Sequence, residues 1–243
     1  MNLVIDIGNT RTKYSICHLG DVLNTVPVQE FLPSHIDQLK IEYRGLDQAI
    51  LSSVKDYPEE LRAALQSKFK TFIELNHDTP IPIKNCYQSK ETLGKDRIAA
   101  VVGAFDLYPD SNVLVIDAGT AITYDILTED GKYLGGTISP GLEMRFKALH
   151  QFTGKLPKIE RKEFKKLYGK TTEQAIRAGV QNGFFHEIDS TITSFKEFYN
   201  NLKVIITGGD AEFFDYKLKN SFFVHFNLTS IGLNRILQHN GEI

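Results

Sequence analysis

The sequence predicts an α/β protein made of two tandem copies of one subdomain, and three observations point there. Leu3-Val4-Ile5-Asp6-Ile7-Gly8 recurs as Leu114-Val115-Ile116-Asp117-Ala118-Gly119, and the same offset of 111 residues joins Thr12 to Thr123 and Gly20 to Gly131. A period that long lies outside the solenoid range and fits duplication of a whole subdomain. Each copy is followed by a run rich in β-branched and aromatic residues, Thr12 to Cys17 and Thr120 to Leu127, without a 3.6-residue apolar period. Each half therefore opens as strand, tight turn, strand. Helical patterns follow in both halves.

Taken in order, Pro58 to Lys70 carries Leu61, Leu65 and Phe69 on one stripe. Lys95 to Leu107 carries Ile98, Val101, Val102 and Phe105, and Pro109 bars its continuation. Ser139-Pro140 reads as an N-cap and first-turn proline ahead of Leu142, Phe146 and Leu149. The longest pattern runs from Thr171 or Thr172 toward Asn200, long enough that a break or a second partner face is expected. Further strands are expected at 48–54 and 203–207. The halves run 1–110 and 111–243, with Tyr108-Pro109-Asp110-Ser111 as the joint.

With 243 residues and 42% apolar content, the chain can bury a sizeable core. Its formal net charge of -2 and lack of a long basic run give nucleic-acid binding no electrostatic support. No apolar stretch approaches the roughly 20 residues needed to cross a bilayer. Met1 leads straight into Leu3-Val4-Ile5, leaving no room for a signal peptide. Cys17 and Cys86 form no C-x-x-C pair, and the histidines show no H-E-x-x-H spacing. A cytoplasmic protein with neither nucleic-acid nor membrane partner is expected.

Asp6-Ile7-Gly8-Asn9-Thr10-Arg11-Thr12-Lys13 puts a carboxylate at a strand end, a glycine that permits close backbone approach, hydrogen-bonding side chains and a cation for phosphate oxygens. The same types also make a plain hairpin turn, but recurrence at Asp117 favours a pair of phosphate-facing turns. Neither G-x-G-x-x-G nor a Walker sequence occurs, and those sites need a helix directly after the glycines, where this chain turns into a strand. Gly94-Lys95-Asp96-Arg97 sets base, acid and base at a helix start. Acids stabilise that end of any helix, yet the cluster also suits an anionic substrate, with Asp96 accepting a hydroxyl proton late in phosphoryl transfer. Gly135-Gly136-Thr137-Ile138-Ser139-Pro140-Gly141 reads as a glycine-rich turn entering a helix, able to hold an anion. Gly208-Gly209 follows a strand, and Gly179 and Gly183 mark close packing of the long helix, within or between subunits.

Together these motifs, in this order over nearly the whole chain, resemble the type III pantothenate kinases, relatives of acetate kinase, sugar kinases and actin. Asp6-x-Gly-Asn-Thr-x-x-Lys13 is similar to that family's first phosphate loop, Gly94-x-Asp96-Arg97 to its substrate motif, and Asp117-x-Gly-Thr120 to its second phosphate loop. Gly135-Gly136-x-Ile138-x-Pro140-Gly141, Thr172-x-x-Ala175-x-x-x-Gly179 and Gly208-Gly209 match as well. The resemblance implies two ribonuclease-H-like (actin-like ATPase) subdomains, a central nucleotide cleft and a homodimer. It gives Asp6, Ile7, Gly8, Asn9, Thr10, Arg11, Thr12, Lys13 and Thr120 to ATP, and the general-base role to Asp96. It gives Tyr87, Gly94, Lys95, Asp96, Arg97 and Thr172 to pantothenate, and Asp117 to a monovalent cation, K+ or NH4+, beside Mg2+ and ATP. One departure is Thr171, where Asn often precedes the substrate threonine; both residues cap helices well. The competing expectations are a sugar or acid kinase of the same architecture and a nucleotide-binding regulator without turnover.

Overall fold

The computed structural model describes residues 1–214 and 218–241, which divide into two compact units. Unit 1 opens with Asn2–Ile7 (β1), Thr12–His18 (β2), Asp21–Val28 (β3), Pro33–Glu42 (α1) and Gln48–Ser53 (β4). Glu59–Lys68 (α2), Thr71–Glu74 (β5), Lys84–Asn85 (β6) and Lys95–Leu107 (α3) follow. Its five-stranded sheet has the order β3-β2-β1-β4-β5. β1 and β2 are antiparallel, as are β2 and β3, so tight turns suffice between them; β4 and β5 run parallel to their neighbours and need the crossovers α1 and α2. Leu3, Ile5 and Ile7 alternate onto one face, where they pack with Ile36, Leu39, Leu61 and Leu65 of the two crossover helices. Asp6 falls on the opposite face by the two-residue period.

Unit 2 contains Val113–Ala118 (β7), most of Ala121–Leu127 (β8) and the later part of Lys132–Pro140 (β9). Leu142–Gln151 (α4), Thr172–Phe198 (α5), Lys203–Thr207 (β10) and Phe223–Val224 (β11) complete it. The strand order β9-β8-β7-β10-β11 repeats β3-β2-β1-β4-β5, so the sequence duplication is also a duplication of sheet order. Leu114, Ile116 and Ile122 pack with Phe146 of α4 and Phe184, Ile188 and Ile192 of α5. The outer turn of the β8–β9 hairpin, Ile126–Gly135, belongs to unit 1, where β6 pairs with β9 through Lys84↔Lys132 and Asn85↔Tyr133.

The last helix, Leu228–Gly241 (α6), also belongs to unit 1, so the division is not a single cut near residue 110. The reason is packing. Leu233, Ile236 and Leu237 are fully buried, and α6 meets α3 at two glycines. A Cβ on Gly103 would strike the main-chain oxygen of Leu228, and one on Gly232 that of Ala99. Ser15 Oγ donates to Ser230 Oγ at 2.9 Å and Asn2 Nδ2 to Asn234 Oδ1 at 2.8 Å, fixing α6 on the sheet.

One element departs from the sequence expectation, and another lacks the break that is one of its two expected features. β9 continues through Pro140, so Ser139 caps nothing and Gly141 takes the N-cap position of α4. The glycines of this run serve packing: a Cβ on Gly136 would collide with the main chain of Tyr124, and one on Gly135 would stand 3.4 Å from the Tyr87 ring. The long helix α5 runs unbroken over 27 residues, started by Thr171, whose hydroxyl accepts from Gln174 N at 3.2 Å. No helix among the described residues is long and apolar enough to cross a membrane.

Candidate active site

In unit 1 the chain leaves β1 at Ile7 and reverses over four residues, closed by a hydrogen bond from Gly8 N to Arg11 O at 3.0 Å. Asn9, Thr10 and Arg11 are exposed at the tip, and Thr12 is buried as β2 begins. The register pairs Asp6 with Lys13, and Lys13 Nζ lies 3.4 Å from Asp6 Oδ2. Burial pushes the Asp6 carboxyl above the ordinary carboxylate value; the Lys13 charge opposes this and the Asp96 charge adds to it. Asp96, on a different element, is thus brought within electrostatic reach of the first loop.

Asp96 stands in the first turn of α3, and its Oδ1 accepts from Arg97 N at 2.8 Å. Gly94 is the N-cap, and a Cβ there would lie 2.5 Å from that same oxygen. Arg97 is buried, with its guanidinium carbon 5.5 Å from the centre of the Tyr87 ring. Tyr87 stacks on Tyr133 of β9, ring centres 6.1 Å apart and planes 7° from parallel. Lys95 lines a small recess with Asn76, His77, Asn85 and Lys90, whose walls include neither Tyr87 nor Arg97. Unit 1 thus gathers Asp6, Lys13, Asp96, Arg97 and Tyr87.

In unit 2, Asp117 lies near the end of β7, and Gly119 N donates to Ala121 O at 2.9 Å to close the second loop, leaving Thr120 exposed. Gly141 N donates to Thr120 O at 3.2 Å, and a Cβ on Gly141 would strike the oxygens of Gly119 and Thr120. Gly208, at φ +93°, brings its backbone so close that a Cβ would meet Ala118 O and Asp117 Oδ1. Asp210 N donates to Ala118 O at 2.9 Å, and Asp210 pairs with Arg161, which lies over the Phe213 ring at 4.2 Å. Two glycines, Gly119 and Gly208, thus face the Asp117 carboxylate. That carboxylate and the adjacent carbonyl are hard oxygen donors, the kind that fit an alkali or alkaline-earth cation.

Thr172 begins α5 and is exposed. It lines an open groove of about 790 Å³ with Arg145, Phe152, Ala175, Gly179 and Gly183. Outside the helix's own backbone, no atom of the described residues lies within 4 Å of a Cβ on Gly179 or Gly183, so neither marks close packing among them. The model of the type III pantothenate kinase family matches residues 2–194. The chain belongs to this family. A type III pantothenate kinase of Phocaeicola vulgatus is 44% identical over 243 residues, covering all of both chains. One of Bacteroides fragilis is 46% identical over 242 residues, covering 99% of this chain and 98% of its own. A glucokinase from an Antarctic psychrotroph shares the fold at 14% identity, with a TM-score of 0.56 and 98% of each chain covered.

As a member of the type III pantothenate kinase family the chain is an enzyme of the kinase class, which uses ATP with a divalent metal. Three residues outside the sequence motifs, Tyr133, Arg145 and Ser52, stand beside the candidate ones. Arg145 donates to Pro140 O at 2.8 Å and to Ser139 Oγ at 3.1 Å and pairs with Glu187 at 2.6 Å, so it braces the turn behind Thr120. Ser52 is in register with Asp6, and its buried hydroxyl has no hydrogen-bond partner among the described residues. None of the three stands in a repeat or glycine motif; strand register marks Ser52, ring stacking Tyr133, and hydrogen bonds to the end of β9 Arg145.

Proposed function

We propose that the protein transfers the γ-phosphoryl group of ATP to the primary hydroxyl of pantothenate, giving 4'-phosphopantothenate, the first step of coenzyme A synthesis. The observation that carries this reading is the meeting, in unit 1, of a candidate base, Asp96, with the Asp6–Lys13 loop pair and the Tyr87–Arg97 cluster. Asp96 orients the hydroxyl and accepts its proton as the oxygen attacks the γ-phosphorus and ADP departs. Arg97 and Tyr87 hold the acceptor, Arg97 as counter-charge to its carboxylate, and Thr172 adds a hydroxyl contact.

Lys13 and the N–H groups at the tip of the first loop, from Asn9 to Arg11, offset charge on the phosphate oxygens, and Thr120 contributes from the second loop. Magnesium, when bound, neutralises charge on the β- and γ-phosphates. Asp117, approached by Gly119 and Gly208, is assigned to a potassium or ammonium ion. Homodimerisation through α5 is supported by the exposed Ala175, Gly179 and Gly183 on the wall of the open groove. A cytoplasmic setting is part of this reading.

The test is an assay for phosphopantothenate with ATP and magnesium, with and without potassium, beside glucose, N-acetylhexosamines and acetate as acceptors. Turnover of pantothenate alone, stimulated by potassium, is expected. Turnover of a sugar or acid would move the protein to another kinase class, and ATP binding without any turnover would make it a regulator. A monomer by light scattering at micromolar concentration would defeat the dimer.

A further inference from the structure

The Tyr87 ring has little local structure to hold it. Tyr87 lies between the two-residue strand β6 and the short turn Lys90–Thr92, and Cys86, Gln88, Ser89 and Lys90 around it are all exposed. An aromatic side chain on such a segment samples several rotamers unless packing selects one, and a ligand would then have to order it on binding. The packing comes from β9. Tyr133 is fully buried and lays its ring nearly parallel to that of Tyr87, at an offset-stacking separation. The Tyr133 main chain holds the same segment, its oxygen accepting from Cys86 N at 2.9 Å, and Asn85, in register with Tyr133, accepts from Tyr87 N at 3.0 Å. Two residues further along the strand, Gly135 leaves its backbone bare beside the Tyr87 ring edge. Arg97 lies over the same ring, so whatever orients Tyr87 also shapes the surroundings of that cation.

We propose that Tyr133 is the positioning residue for pantothenate recognition, holding the Tyr87 ring in its binding orientation beside Arg97. It touches neither ATP nor the reacting atoms in this scheme, and acts only through Tyr87. The proposal rests on the reading of Tyr87 as a pantothenate contact. Loss of the ring should therefore weaken acceptor binding selectively. Nucleotide binding and the chemical step should be spared.

The experiment compares Tyr133→Leu, Tyr133→Phe, Tyr87→Ala and the Tyr87→Ala/Tyr133→Leu double variant in the full chain, with pantothenate affinity also measured by titration calorimetry. Tyr133→Leu is expected to raise the pantothenate KM and dissociation constant roughly three- to tenfold, the size of a lost aromatic pair. Its kcat and ATP KM should stay within about twofold of wild type, and Tyr133→Phe should restore affinity. In the Tyr87→Ala background, Tyr133→Leu should add nothing. If Tyr133→Leu does not fold, Tyr133→Met fills the space without a ring and carries the same expectations. Unchanged pantothenate affinity in Tyr133→Leu (or in Tyr133→Met where that replaces it), an equal loss of ATP affinity, or a full additional loss in the double variant would each overturn the proposal. If Tyr87→Ala leaves pantothenate binding untouched, the underlying assignment of Tyr87 fails instead, which is a separable result.

Discussion

Oδ1 of Asp96 occupies the space that a side chain on Gly94 would enter, 2.5 Å from the position of its Cβ. The glycine at the start of α3 therefore sets where the candidate base can sit. Gly94→Ala should push the carboxylate aside and lower kcat roughly 10- to 100-fold, since misplacement of about 1 Å costs that much. The melting temperature should change little. Asp96→Asn should lower kcat by roughly 10²–10⁴-fold with ATP binding intact. The double variant should be no worse than Asp96→Asn alone, as steady-state kinetics on all three would show.

Asp6 gives a pH-dependent expectation. Burial raises its carboxyl, against the pull of Lys13. The folded state then holds this proton more tightly than the unfolded state. Stability from this group is full below the unfolded value of 3.8 and falls as pH rises through the higher folded value. Asp6→Asn should thus melt at or above wild type at neutral pH, with the gap closing as the solution is acidified, while turnover is lost. A gap that is constant across pH, by thermal shift, would refute the ionisation account.

Gly208 combines a left-handed φ of +93° with close approach to Ala118 and Asp117. Gly208→Ala should destabilise the fold by about 1–3 kcal/mol. It should also blunt potassium activation, because the added methyl displaces the Asp117 carboxylate. Asp117→Asn should blunt the same activation without the stability loss. Urea unfolding and potassium titrations of turnover separate the two effects.

Gly232 faces Ala99 across the α3–α6 crossing with no room for a side chain. Gly232→Val should cost about 1–3 kcal/mol by overpacking, read as a lower urea midpoint at unchanged slope. A neutral result would mean that the two helices can separate freely.

The strands bearing Asp6 and Asp117 are legible in the sequence because each is an apolar run of the same composition, and the repeat itself announces the shared sheet order. The Asp96 helix is legible from its periodicity and from Pro109. β9 is not, because Gly135, Gly136 and Pro140 look like turn residues until Tyr87 and Tyr124 are seen packed against the glycines. Lys95 also lines a small recess with Asn76, His77 and Lys90, a neighbourhood that sequence spacing does not reveal. The return of α6 to unit 1 leaves no mark in local composition, since its apolar face would suit either unit.

That return also governs the order in which the molecule can be completed during synthesis. Every residue of unit 2 precedes Asn227, whereas unit 1 lacks a helix until Leu228–Gly241 has left the ribosome. Until then α3 carries an uncovered groove at Gly103, although its own residues were made far earlier. The helix bearing the candidate base therefore waits for a segment made far later in the chain before its Gly103 face is covered.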